Sequence, residues 1–299
     1  MNYKICITLL LAGTFVSCSK VLDKKPLDAF DENTIWQDKS LADGFVLTTY
    51  ANVIGGLYFW QATDDMTDNN CNNYGNGVTT ENIDNSYDAG WNQYSKIRSC
   101  NLIIEKVTAS TGIMENDKKV MIAEAKFMRG GITYYYLAQR FGGVMLVDKV
   151  LDQNSDDFQL PRSSPETIYE FILKDLSDAA LDLPTTAPSG RASKAAAYAF
   201  ITRVGLQGAA YVPAKKQEYL QSVITAAEKT FTYDYQLDAD YAGMFNDFGK
   251  AQASREMILA YFRDATNTTF QSTIMQGLCP NAGNEKLNPG FGPRFHGKF

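Results

Sequence analysis

The chain has 299 residues, enough for one large domain or two small ones, and 45% of them are hydrophobic, enough for a sizeable core. Its net charge of −6 argues against a nucleic-acid partner, which would require a basic face. The only histidine, His296, lies in a Gly-rich tail, so no Ser-His-Asp or Cys-His catalytic arrangement can be built.

Residues 1–17 read as a secretory signal, with Lys4 followed by an apolar run from Ile5 to Val16. The run is too short to cross a bilayer as a helix. Ser17-Cys18 then places a small residue before a cysteine, the arrangement at which bacterial lipoproteins take lipid on the thiol and begin the mature chain, although Phe15 and Val16 are not the preferred preceding residues. Cys18 is therefore the expected lipidation site. Several acyl chains would anchor stably, each buried methylene contributing about 0.8 kcal/mol. Of the other cysteines, Cys71, Cys100 and Cys279 show no metal spacing and are expected to be buried or idle thiols. No later segment is long and apolar enough to span a membrane.

Ser19 to about Gln37, with Pro26 and mixed charges, reads as an extended tether and entry segment. Ser40 is expected to cap a helix whose inner face carries Leu41, Phe45, Thr48 and Asn52, with Gly55-Gly56 ending it. Residues 58–90 are rich in Asn, Asp, Gly and Thr, lack helical periodicity and form a long loop. Its aromatics, Tyr58, Trp60, Tyr74 and Tyr87, argue against simple disorder. From Trp91 a helix resumes, with Trp91, Tyr94, Ile97, Asn101 and Ile104 on one face. Asn101 is expected to be a buried amide bonded to a neighbouring helix. Asn116-Asp117 start the next helix, which contains the stretch Glu124–Leu146 and closes at Gly142-Gly143. Glycine inside a helix costs stability, so Gly130 and Gly131 imply a neighbour packed against their backbone.

After a polar connector from Asp152 to Pro161, a further helix starts either as a capping box of Ser163 with Glu166 or with Ser164 as N-cap before Pro165. Ile168, Phe171, Ile172, Leu176, Ala179 and Leu183 line its inner face, and Pro184 stops it. Ser193 caps a helix whose Ala195, Ala196, Ala197 and Ala199 allow close packing, and Tyr219, Val223, Ile224 and Ala227 mark one more. Paired amphipathic helices joined by short loops indicate a mainly α fold, a superhelix of the tetratricopeptide kind with long irregular loops, although the strict repeat signature is absent.

Three blocks carry a family resemblance. EAKFMRGGITYYYLAQRFGGVMLV, from Glu124, resembles the SusD/RagB pattern in which E-A-x-F-x-R-A-x-x-Y leads into L-F-G-x-V-P-L-V, with Met145 where the family usually has proline. PRSSPETIYEFILKDLSDAALDLP, Pro161 to Pro184, and GRASKAAAYAFITRVGL, Gly190 to Leu206, resemble the family's next two blocks in order and spacing. Trp91, Tyr94, Ile97 and Asn101 resemble its W-x-x-Y-x-x-I-x-x-x-N, and Glu256–Tyr261 its short strand-like E-I-I-F segment. The resemblance implies residues 1–17 as lipoprotein signal and 18–299 as the N-terminal portion of a SusD-like domain, with a helical body to about 262. Residues 263–299 would then begin a C-terminal part that family members continue much further, in a truncated or a divergent short member. It also implies a lipid-anchored, surface-exposed outer-membrane protein of a Gram-negative, Bacteroidetes-like cell. Such a protein captures oligosaccharides or other nutrients for a SusC-like TonB-dependent transporter, without an enzymatic step.

The chemistry of the residues agrees with binding. No Gly-rich phosphate loop or zinc spacing is present, and no cofactor is expected. Asp64, Asp65 and Asp68 lack the EF-hand spacing and read as a solvated loop edge rather than a Ca²⁺ site or a glycosidase carboxylate pair. Sugars need aromatic faces for their C–H surfaces and amide or carboxylate partners for their hydroxyls. Residues 58–76 interleave both, and Tyr58, Trp60, Asp68, Asn72, Asn73, Tyr74 and Asn76 are the candidate ligand residues. The alternative readings are a helical protein-interaction scaffold without its own sugar site and, third, a glycoside hydrolase.

Overall fold

A computed structural model describes residues 32–54, 91–152, 159–246 and 248–260. Over these residues the chain is helical, with no strand. Helix α1 (Glu32–Ile35) leads into α2 (Lys39–Val53); a 3-10 turn (Trp91–Gln93) opens α3 (Tyr94–Ala109). Helix α4 (Glu115–Lys126) continues through a π-helical segment (Phe127–Tyr134) into α5 (Tyr135–Phe141). Next come α6 (Pro165–Asp182), α7 (Lys194–Tyr211), a second 3-10 turn (Pro213–Lys215) and α8 (Lys216–Thr230), then the short α9 (Gly243–Asn246) and α10 (Phe248–Ala253). Helix α2 packs on α3, α3 on α4, α4 on α6, α6 on α7 and α7 on α8, the stacking of a tetratricopeptide-like superhelix. The π segment touches α2, α3, α6 and α7 and is the hub of the body.

Local sequence explains most of the helix ends. Ser164 Oγ accepts the Thr167 N–H at 3.1 Å with Pro165 at the first helical position, which settles the start of α6 in favour of the Ser164 cap. Ser193 Oγ accepts the Ala196 N–H at the start of α7. Gly142, at φ +66°, closes α5 in the left-handed region. The cap of α2 is Asp38, not Ser40: its Oδ1 accepts the N–H groups of Ser40 and Leu41 at 2.8 and 3.0 Å. The inner face of α2 is likewise Ala42, Val46, Thr49, Tyr50 and Val53, while Thr48 and Asn52 are exposed. The register turns because Tyr50 is drawn inwards, its hydroxyl donating to Glu124 Oε1 and accepting the buried Ala192 N–H. Residues 255–260 form turns and bends rather than the strand-like segment expected there.

The π segment is the feature that periodicity could not reveal. Its wider turns are stitched by i→i−5 bonds, with the Tyr135 N–H reaching the Gly130 carbonyl and Thr133 Oγ1 donating to the Met128 carbonyl at 3.0 Å. Gly130 and Gly131 do face a close neighbour, helix α6. A Cβ on Gly130 would lie 2.6 Å from Asp175 Cβ, and one on Gly131 would lie 2.6 Å from Leu176 Cδ2.

Between these backbones lies a buried ionic network. Arg129 donates from Nε and Nη2 to the two carboxylate oxygens of Asp175 at 2.8 and 2.7 Å, and from Nη1 to Asn101 Oδ1 at 2.7 Å. The Asn101 amide donates to the carbonyls of Val147 and Lys149, and Arg129 to that of Asp148, so one guanidinium and one amide hold the backbone of residues 147–149. Asn101 is thus the buried amide expected, joined to the adjoining helical segment through Arg129. The Tyr134 hydroxyl accepts the Val147 N–H at 2.6 Å, and the Tyr94 hydroxyl donates to the Met145 carbonyl. A second centre is Arg191, whose guanidinium meets both oxygens of Glu124, at 2.7 and 2.5 Å, and both of Asp43, at 2.9 and 2.7 Å. Burial holds the Asp175 and Glu124 carboxyls above their usual range, an effect that their arginine partners offset only in part. Cys100 beside this network is a buried free thiol, its pKa pushed up to about 12 by burial.

Gly130→Ala tests the close approach. Overpacking costs about 1–3 kcal/mol, against about 1 kcal/mol gained in helix propensity. The variant is expected to melt below the parent, and below Gly131→Ala, whose clash is with a side-chain methyl that can move. A Gly130→Ala protein as stable as the parent would contradict the packing described.

Candidate functional site

Two cavities in the described residues share Met257, Ile258 and Leu259 as a common wall. The first, of about 510 Å³, lies among the loops around residues 185–191 and 232–235 and is lined mostly by hydroxyl and backbone groups. The second, of about 630 Å³, is set into the helical body and falls within the range of small-ligand sites. Its floor is apolar, with Ile54, Ile132 and Ala196, and polar groups stand on its walls.

Each wall follows from local sequence. On α5, Tyr135, Tyr136 and Gln139 are one and four residues apart, so they occupy one side of the helix just after the π segment. On α7, Phe200 and Arg203 are three apart and face them. Alanines behind Phe200 let α7 approach α6 closely enough for this. The Tyr135 phenol is raised by burial, while the nearby Arg203 and a hydrogen bond with Gln139 pull it back, so these three groups converge. The Arg203 guanidinium lies over the Phe200 ring, 5.5 Å from its centroid, and Phe127 meets the same ring edge-on at 5.1 Å. Arg140 lies 4.4 Å over the half-buried Tyr136 ring. From the third side comes Glu256, one oxygen of which accepts the Asp238 N–H at 2.9 Å.

This collection suits non-covalent recognition. It joins aromatic surface to a guanidinium, an amide and a carboxylate, the groups that pair with hydroxyls. Among the described residues no group of three or more His, Cys, Asp or Glu could hold a metal ion. The residues expected from sequence, Tyr58, Trp60, Asp68, Asn72, Asn73, Tyr74 and Asn76, lie outside the described residues, as do Cys18, Cys71, Cys279 and the acidic Asp64-Asp65 pair. Tyr135, Tyr136, Gln139, Phe200 and Arg203 were read only as parts of core helices. The available signal was a polar residue four positions after a tyrosine pair on α5 and an arginine three after a phenylalanine on α7.

Comparison with known proteins places these features in a family. Residues 21–206 match the SusD-like family described as starch-binding and associating with the outer membrane. The chain is 30% identical over 155 residues to the starch-binding protein SusD of Bacteroides thetaiotaomicron, a match covering 49% of this chain and 26% of that one. A SusD-like protein from Bacteroides fragilis NCTC 9343 superposes with a TM-score of 0.66 at 27% identity, over 82% of this chain and 49% of that one. A SusD-like carbohydrate-binding protein from the same organism superposes with a TM-score of 0.58 at 25% identity, over 70% of this chain and 43% of that one. The chain therefore spans about half the length of the solved relatives it matches. No helix among the described residues is long and apolar enough to cross a membrane.

The polar wall and the floor should separate by stability. Gln139→Ala and Arg203→Gln change groups that fill no core and should stay within about 0.5 kcal/mol of the parent. Ile132→Ala removes a buried side chain from the floor and should cost about 2–5 kcal/mol. Thermal melts of the three variants check this; a large loss for Arg203→Gln would make it a structural residue.

Proposed function

We propose, on the premise that this chain belongs to the SusD-like family of starch-binding, outer-membrane-associated proteins, that it is a lipid-anchored glycan-binding protein of the cell surface. It would capture oligosaccharides and hand them to a SusC-like TonB-dependent transporter, with Cys18 as the lipid attachment site and no chemical step of its own. The observation that carries this reading is the cavity of about 630 Å³, in which three aromatic side chains, Tyr135, Tyr136 and Phe200, stand beside a guanidinium, an amide and a carboxylate over an apolar floor. Residues 58–76, with Tyr58, Trp60, Asp68, Asn72, Asn73, Tyr74 and Asn76, supply a second set of aromatic, amide and carboxylate groups from sequence.

A second reading, a protein-interaction scaffold, is favoured by the apolar side chains that α7 and α8 leave exposed. Leu206, Tyr211 and Ile224 are each at least half exposed. Such a scaffold would need no sugar site.

Isothermal titration of the full chain against a panel of oligosaccharides separates the two. Saturable heat with at least one glycan is expected; none with any member of the panel would favour the scaffold. With a bound glycan in hand, Tyr74→Ala should weaken binding several-fold without lowering the melting temperature, on the scale of about 0.5–1.5 kcal/mol for an aromatic contact. Trp60→Ala weakens binding alone if the ring faces the ligand, and costs about 3–5 kcal/mol of stability if it is core. Unchanged affinity in both variants would remove residues 58–76 from the site. Cys18→Ala should abolish palmitate incorporation and release the protein from outer-membrane fractions; retention of both would refute the anchor.

A further inference from the structure

Among the described residues, two arginines are held by carboxylates inside the body, whereas Arg203 on Phe200 and Arg162 on Trp91 lie over aromatic rings. The buried Arg129 and the partly buried Arg191 are each locked by carboxylates in bidentate geometry. Arg203 lines the larger cavity: it is exposed, no carboxylate among the described residues lies within ion-pair distance of it, and its guanidinium lies over the Phe200 ring, 5.5 Å from the centroid. A guanidinium on an aromatic face is weakly hydrated, keeps its planar fork of donors and matches a carboxylate two bonds at a time. The cavity's other charge, Glu256, does not compete for Arg203. One of its oxygens is occupied by the Asp238 N–H, and it makes no ion pair with Arg203.

The geometry points to an acidic sugar as the occupant of this cavity: we propose that it takes a hexuronate unit of an oligosaccharide. The sugar carboxylate pairs with the Arg203 guanidinium, the ring lies against Tyr136, and Gln139 and Glu256 take hydroxyls on the far side. This rests on the glycan-binding reading above and adds the charge of the ligand and the residue that selects it. Glu256 contributes to the same selection by orienting the unit, because a carboxylate turned towards it would be repelled.

The test compares one oligomer in two charge states. The full chain is titrated with an oligogalacturonate, with its methyl ester, with a neutral maltooligosaccharide and with a sulfated galactan oligomer, in parallel with Arg203→Gln. The parent is expected to bind the free acid about ten- to a hundredfold tighter than the ester, the range of a hydrogen bond to a charged group. Arg203→Gln should bring acid and ester within about threefold of each other, by loss of affinity for the acid alone. Tighter binding of the sulfated oligomer than of the uronate would overturn the hexuronate assignment. Equal binding of acid, ester and neutral sugar, unaltered in Arg203→Gln, would overturn the inference and leave glycan binding intact. No binding by any of the four would overturn both.

Discussion

A guanidinium placed inside a helical body must be paired on every side or the body does not form, and Arg129 is that group here. Moving each ion of such a pair out of water costs several kcal/mol. The cost is offset only because both Asp175 oxygens, Asn101 and a backbone carbonyl all meet the planar fork. Gly130 is what lets Asp175 come so near, since a side chain there would occupy the place of its Cβ. The π segment, the two glycines and the buried ion pair are thus one solution to one packing problem. The second centre, Arg191 between Glu124 and Asp43, ties α2, α4 and the entry to α7 in the same manner.

These two centres give the three sequence blocks their physical meaning. Glu124 and Arg129 belong to the first block, Asp175 to the second and Arg191 to the third, so the charged residues of each block find their partners in another. None of them lines the larger cavity. Their work is to fix how α6 and α7 sit against the π segment, which in turn sets Tyr135, Tyr136 and Gln139 opposite Phe200 and Arg203. These cavity-lining side chains come from the same first and third blocks, on helix positions other than those of the charged pairs.

Much of the scaffold was legible in the sequence because its signals are local. The Ser164 and Ser193 caps, the Gly142 closure, the apolar face of α6 and the need for a close neighbour at Gly130 and Gly131 follow from neighbouring residues alone. Where the reading of a helix face failed, a distant contact had overridden a local preference. The face of α2 rotates because Tyr50 bonds to groups 74 and 142 positions away, whereas Asp38 displaces Ser40 as the cap by a purely local bond to the Ser40 and Leu41 N–H groups. The π segment could not be read, since its i→i−5 bonds leave no period in the residue pattern. The cavity was legible only in pieces: an aromatic pair on α5 means nothing for binding until α7 lays an arginine across from it.

If the blocks are a mutually paired scaffold, the energies of Arg129 and Asp175 must be strongly coupled. The most direct measurement is a double-mutant cycle with Arg129→Met and Asp175→Leu, read by chemical denaturation. Each single change should cost about 3–5 kcal/mol, because it strands a buried charge. The double variant should lose much less than the sum, with a coupling near the upper end of the roughly 0.5–3 kcal/mol seen for neighbouring residues. Losses that simply add would contradict the account.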